Sequence, residues 1–231
     1  MEIKTGYQTV NFLDLANDYL TTGYYGTRDA SQYIQENYTS ETLEQIAEEI
    51  KVCKNCVLGS GRTNAAPGEG CSSPLVMVIG EGPGQEEDAQ GRPFVGRAGQ
   101  LLDKMLASIG LSRNENAFIA NIVKCRPPNN RDPRPEETTA CAHFLKRQIL
   151  LLKPKFILIA GRIAAQTLLK TSEPVGKLRG KFYNLKVDNL PIPLLVTYHP
   201  AALLRDESYK RPAWEDLKLL REKIEALNGG K

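Results

Sequence analysis

From Pro74 onward the chain alternates short, mostly apolar runs, the first of them wholly so, with stretches of helical period. Residues 75–80 (LVMVIG), 118–123 (FIANIV), 156–161 (FILIAG) and 194–199 (LLVTYH) read as strands covered on both faces, since a half-exposed strand would alternate apolar with polar positions. Leu101, Leu102, Met105, Leu106 and Ile109 mark one helix, residues 162–170 another, and the segment after Pro135 a third, with proline at its start. A closing helix surrounds residues 214–217. This alternation predicts an α/β fold: three αβα layers around a central, mainly parallel four-stranded sheet. Ligands of such sheets bind beyond the carboxyl ends of the strands. The unusual residues fall there: residues 80–84 (GEGPG), Asn121, Gly161–Arg162 and His199–Pro200.

Upstream, Leu43, Ile46, Ala47 and Ile50 form an apolar stripe leading to Cys53. Ser40 is the expected N-cap, with Glu41 and Glu44 in the first turn. Residues 1–39 differ in texture, holding Tyr7, Tyr19, Tyr24, Tyr25, Tyr33 and Tyr38 among many polar residues. They read as a helical or irregular N-terminal extension of unknown function that packs its aromatics on a main domain of residues 40–231. There is no internal repeat.

Composition narrows the class only a little. With 231 residues, 25% of them charged and 41% hydrophobic, the chain suits one substantial soluble core. A net charge of +3 permits nucleic-acid binding without arguing for it. No apolar run approaches the ~18 residues that span a bilayer, and the N-terminus lacks the pattern of a secretory signal. A cytoplasmic, prokaryotic monomer without membrane contact is the expectation. Five cysteines in such a compartment favour metal or redox roles over disulfides.

Residues 80–102 carry six glycines, a carboxylate at the strand end (Glu81), an acidic cluster (Glu86, Glu87, Asp88) and a solitary aromatic, Phe94, between Pro93 and Val95. Cys53 and Cys56 form a C-x₂-C pair, Cys125 follows in a third segment, and Cys141 lies sixteen residues further on. Thiolates suit iron–sulfur clusters or zinc, and spacing alone does not separate the two. Cys71 is left over as a free thiol, and His143 should point away from Cys141. Lys124, Arg126, Arg131 and Arg134, against Asp132 alone, give residues 124–134 a local net of +3 (four basic minus one acidic).

GEGPGQEEDAQGRPFVGRAGQLLDKML (80–106), NIVKCRPPNNRDPRPEE (121–137) and YHPAALLR (198–205) together resemble the family 4 uracil-DNA glycosylases, the iron–sulfur type. The similarity runs from about residue 45 to 222 and excludes the first forty or so. It implies enzymatic removal of uracil from single- or double-stranded DNA by base flipping. Phe94 would stack on the extruded base, and Asn121 would donate to uracil O4 while accepting from N3–H. His199 would donate to O2 as negative charge builds there, and Glu81 would stabilise the cationic sugar and orient water. The backbone of Gly82, Pro83, Gly84 and Gln85 would frame the pocket, with Glu87 positioning the loop or the water. The resemblance also favours a [4Fe–4S] cluster on Cys53, Cys56, Cys125 and Cys141, with zinc as the alternative.

Leu203, Leu204 and Arg205 correspond to the stretch this family inserts into the duplex, though the start of a core helix competes as a reading. The basic residues around Cys125 are candidates for phosphate contacts. No lysine occupies an obvious nucleophile position, which predicts simple hydrolysis without strand nicking. The Lys-Arg-Arg-Ile-His insertion of related proteins that trap the sugar covalently is not found. Two alternatives stay open: a glycosylase for another damaged base, and an iron–sulfur DNA-binding protein without activity. No partner such as a sliding clamp is identified.

Overall fold

The four apolar runs become the contiguous centre of one sheet, and every residue in three of the resulting strands is buried, as strands covered on both faces require. A computed structural model describes residues 9–11 and 41–229. The strands are β1 (Thr9–Asn11), β2 (Glu69–Gly70), β3 (Val76–Gly80), β4 (Ala117–Asn121), β5 (Phe156–Ala160), β6 (Phe182–Val187) and β7 (Leu190–Thr197). Their order is β1-β6-β7-β5-β3-β4-β2. β7, β5, β3 and β4 are mutually parallel, as predicted.

Successive residues of these strands serve opposite layers. Met77, Ile79, Ile157 and Ile159 pack against helices α1 (Leu43–Val52), α5 (Pro135–Leu152) and α6 (Arg162–Leu169) through Ile46, Phe144, Leu145, Ile149 and Leu168. Val76, Val78, Ile119 and Leu158 face α4 (Arg97–Ala107) and α9 (Lys210–Asn228) through Leu102, Leu106, Leu217 and Leu220. Each such side chain contributes about 1.5–3 kcal/mol. The predicted three-layer architecture is therefore present.

Three strands extend the sheet beyond the four expected. β6 forms a hairpin with β7 through Asp188, at φ 51°, and β1 adds a parallel strand outside β6. β7 starts earlier than its apolar run because Pro191 and Pro193 sit where it pairs with β6 but has not yet reached β5. Their missing N–H groups cost no bond to β5. β2 is a short antiparallel edge on β4.

The N-cap of α1 is Thr42 rather than Ser40, which lies outside the described residues. Thr42 Oγ1 accepts from Gln45 N at 3.2 Å, and Gln45 Oε1 accepts from Thr42 N at 2.8 Å. This reciprocal bonding outweighs what a lone serine offers. The six N-terminal tyrosines also lie outside the described residues. No helix among the described residues is long and apolar enough to cross a membrane.

Candidate active site

The carboxyl ends of β3, β4, β5 and β7 open into a cleft of about 840 Å³. Glu81, Gly82, Pro83, Gly84, Glu87, Phe94, Arg131, His199 and Arg205 all line it. Asn121 lies just behind this lining. A Cβ on Gly80 would stand 2.5 Å from both Asn121 Oδ1 and Phe94 Cζ. Only glycine at that strand end allows ring and amide to converge.

Phe94 is held at φ 53°, a conformation bulky residues avoid. Three features impose it. Glu87 accepts hydrogen bonds from the backbone N–H groups of Gly84 (3.1 Å), Val95 (2.9 Å) and Gly96 (3.0 Å). Arg113 donates to the carbonyls of Pro93 (3.2 Å) and Phe94 (2.9 Å), and is itself tethered to Glu69 and Asp103. Gly99 leaves room where a Cβ would lie 1.9 Å from Phe94 O. Glu87 therefore positions the loop. Arg113 and Gly99 were missed from the sequence because an arginine 19 residues downstream and a helical glycine carry no local signature of a clamp.

Opposite the ring stands His199, their centroids 5.4 Å apart and planes inclined 30°. His199 is the N-cap of α8 (Pro200–Arg205), and its Nδ1 accepts from Ala201 N at 3.1 Å. That bond places the proton of the neutral ring on Nε2. Burial, and next Arg205, push its pKa down to about 4, against a smaller opposing effect of Glu87. The imidazole is neutral near pH 7 and retains one donor. Glu81 moves the other way: burial, then Asp132, push its carboxyl up to about 7, with Arg162 opposing.

Asn121 is 1% exposed, and neither Nδ2 nor Oδ1 has a partner among the described residues. An amide buried without partners costs roughly 1–3 kcal/mol, a deficit a ligand could remove.

Several expected contacts are placed elsewhere. Gln85 is exposed at the start of α3 (Gln85–Gln90) and does not line the cleft. Lys124 cannot reach a phosphate: it is 1% exposed, its ammonium bonded to Asn121 O and Gln148 Oε1. Leu203 is 3% exposed and packs in the core beneath α8, whereas Leu204 is 42% exposed. The two readings of that stretch thus divide between adjacent residues, set by helix phase. Arg131 is committed to the buried Glu137 carboxylate at 2.6 and 2.8 Å, and Arg126 donates to Asn130 Oδ1. Arg134 remains exposed at the start of α5, 4.0 Å from Glu136.

A second, smaller cavity is lined by Cys53, Cys56, Cys125 and Cys141 together with Ile50, Phe144 and Arg62. Arg62 Nη1 donates to Cys125 Sγ at 2.9 Å and Nη2 to the Lys51 carbonyl. Burial pushes the Cys141 thiol up to about 12, and those of Cys56 and Cys125 upward too. A bound metal would reverse this, since it deprotonates its thiol ligands. Among the described residues no three His, Cys, Asp or Glu side chains close on one point as ligands of a single ion would. Cys71 sits apart before β3, its sulfur accepting from Ser73 N at 3.4 Å, and His143 does not line the cavity.

Residues 67–218 match the model of the uracil DNA glycosylase superfamily. A type-4 uracil-DNA glycosylase of Saccharolobus solfataricus is 44% identical, covering 80% of this chain and 87% of that protein. One from Sulfurisphaera tokodaii is 46% identical over 79% of this chain and 84% of its own length. A third, from Thermotoga maritima, is 43% identical over 78% and 94% respectively. With the convergent Glu81, Phe94, Asn121 and His199 already in place, this likeness over most of both chains means that the protein belongs to the uracil DNA glycosylase superfamily, among its type-4 members.

Proposed function

We propose that this protein excises uracil from DNA by hydrolysing the N-glycosidic bond, leaving an abasic site. One observation carries the reading: a buried carboxamide without partners, on Asn121, set beside an aromatic face and a neutral imidazole at the floor of an open cleft. Uracil stacked in a duplex is out of reach, so the nucleotide swings into the cleft at an unstacking cost of a few kcal/mol. Phe94 offers it a π-face, a contact worth roughly 1–3 kcal/mol. Asn121 Nδ2 donates to uracil O4 and Oδ1 accepts from N3–H. Cytosine presents the reverse pattern at both atoms and leaves the amide unsatisfied.

As the bond breaks, negative charge gathers on the base and positive charge on the sugar. His199 Nε2–H donates to O2, a preorganised stabilisation that needs no protonation of the ring. The Glu81 carboxylate stabilises the cationic sugar and orients the attacking water. Gly82, Pro83 and Gly84 frame the base, the two glycines letting backbone approach it closely. Exposed Leu204 fills the vacated space in the duplex, anchored through buried Leu203, with Arg205 at the cleft wall. Arg126 and Arg134 take phosphates, contacts that salt screens. Among the described residues no lysine lines the cleft, and the proposed chemistry is hydrolysis without a Schiff base.

Cys53, Cys56, Cys125 and Cys141 hold a [4Fe–4S] cluster on this reading. Four thiols lining one cavity are the soft donor set such a cluster takes, with zinc as the alternative. Bound there, it supplies a covalent tie joining α1, the Cys125 loop and α5. Arg62 offsets thiolate charge. Residues 40–231 form the catalytic unit and 1–39 an extension that lends β1 to its sheet, acting as a monomer in the cytoplasm, where reduced thiols stay available as ligands.

Incubation with a uracil-containing oligonucleotide, single- or double-stranded, is expected to give strand breaks only after alkali. Breaks before alkali would mean lyase chemistry, and none at all a binding protein. The purified protein is expected to show visible absorbance that dithionite bleaches; a colourless protein retaining zinc rejects the cluster.

A further inference from the structure

Among the described residues Lys124 is the largest fully buried side chain, yet no carboxylate there pairs with it. Its ammonium donates to the carbonyl of Asn121 at 3.0 Å and to Gln148 Oε1 at 2.7 Å. Gln148, 2% exposed, donates in turn to Pro67 O at 2.8 Å. A buried ammonium with only neutral acceptors is costly, and a methionine would fill the space without that penalty. Lys124 also lines the cavity shared by the four cysteines, together with Cys125 and Cys141.

The other end of this side chain's reach is the base-reading amide. Among the described residues the side chain of Asn121 has no hydrogen-bond partner, so its aim depends on its own main chain and on packing beside Gly80 and Phe94. That main chain is tied to β3 on one side, where Ile122 N donates to Gly80 O (2.9 Å) and Val123 N to Glu81 O (3.1 Å). On the other side Lys124 closes the turn back onto the Asn121 carbonyl. We propose that Lys124 is a positioning residue for base recognition: anchored between the cysteine-lined cavity and Gln148, it clamps the Asn121 peptide and so fixes the plane of the carboxamide that reads the base. The inference rests on the uracil reading above. It adds a physical link from the cysteine centre to the recognition amide, running through one ammonium.

The test is Lys124→Met in the full-length, iron-loaded protein, with iron content and thermal melting checked first. Affinity for free uracil, read by calorimetry, is expected to fall about tenfold, the equivalent of one hydrogen bond's worth of misalignment. Discrimination between uracil and cytosine should narrow by a similar factor. The kcat on uracil-containing DNA should fall while affinity for uracil-free DNA holds. A merely structural role would lower the active fraction and leave uracil affinity and discrimination unchanged; that result in a folded, iron-loaded variant overturns the proposal. Should Lys124→Met not fold or not retain iron, Gln148→Leu removes one of the two acceptors and spares the cysteines. The same direction of change is expected there, and unchanged uracil affinity again refutes the clamp. Failure of the unaltered protein to excise uracil would instead sink the proposed function, so the two failures are distinguishable.

Discussion

Glu81→Gln is expected to slow uracil excision by roughly 10²–10⁴-fold, the range that positioned acid–base groups contribute, and to abolish the main pH dependence of the reaction. In the unaltered protein the carboxyl is pushed up to about 7 by burial and by Asp132. The form that stabilises a cationic sugar and orients water is the carboxylate. Activity should therefore rise with pH, reach half its plateau near 7 and level off above it. Below the midpoint it should drop about tenfold per pH unit. His199, held down to about 4, stays neutral through that window and adds no second limb. Single-turnover rates across the midpoint decide the matter: a Gln variant that keeps the same sigmoid, or the full rate, removes Glu81 from the chemistry.

The same shift has a stability consequence of known sign. The folded state holds the Glu81 proton more tightly than the unfolded chain, whose value is the ordinary 4.5. Stability is thus fullest below that value and is lost as pH rises through about 7. The Gln variant, which never ionises, should melt higher than the unaltered protein above the midpoint and alike at low pH. That difference also shows that its lost activity is not lost folding.

Asn121→Asp should produce the largest change in selectivity. A fixed amide facing donor-to-donor and acceptor-to-acceptor clashes can reject a base by up to about 10⁴–10⁵. A carboxyl in this buried position has its pKa raised, which keeps part of it protonated. The protonated group donates through O–H and accepts through C=O, and either oxygen can take either role. It can therefore meet cytosine, with its amino group and bare N3, as well as uracil. Uracil excision is expected to fall, cytosine excision to appear, and the ratio between them to collapse by several orders of magnitude. Lower pH should shift the ratio further toward cytosine, while both reactions slow as Glu81 takes up its proton. A variant that excises neither base, or that still refuses cytosine completely, shows the account of selectivity to be wrong.

The parallel core was legible because burial on both faces leaves nearly unbroken apolar runs in place of alternation. Residues 75–80, 118–123, 156–161 and 194–199 are apolar up to the polar residues near their carboxyl ends, and strands of that kind sit between two helical layers. Strand ends then place Glu81, Asn121 and His199 on one rim by topology alone. β6 was not legible: it is an outer strand with half-polar sequence, specified by its hairpin with β7 and not by a pattern of its own.

Side-chain direction in irregular segments belonged to the tertiary structure. Within one basic loop Lys124 turns inward, Arg131 takes a buried carboxylate and Arg134 stays in solvent, differences that charge along the sequence does not encode. Leu203 and Leu204 part company only once α8 has packed on the core. The positive φ of Phe94 depends on Glu87, Arg113 and Gly99 meeting around it. By itself the sequence determined which residue types arrive at the rim, since hydrophobic periodicity and strand order are properties of the chain. How deeply each is buried, what it bonds and hence what proton it carries were decided only by packing, because desolvation and hydrogen-bond geometry arise between segments distant along the chain.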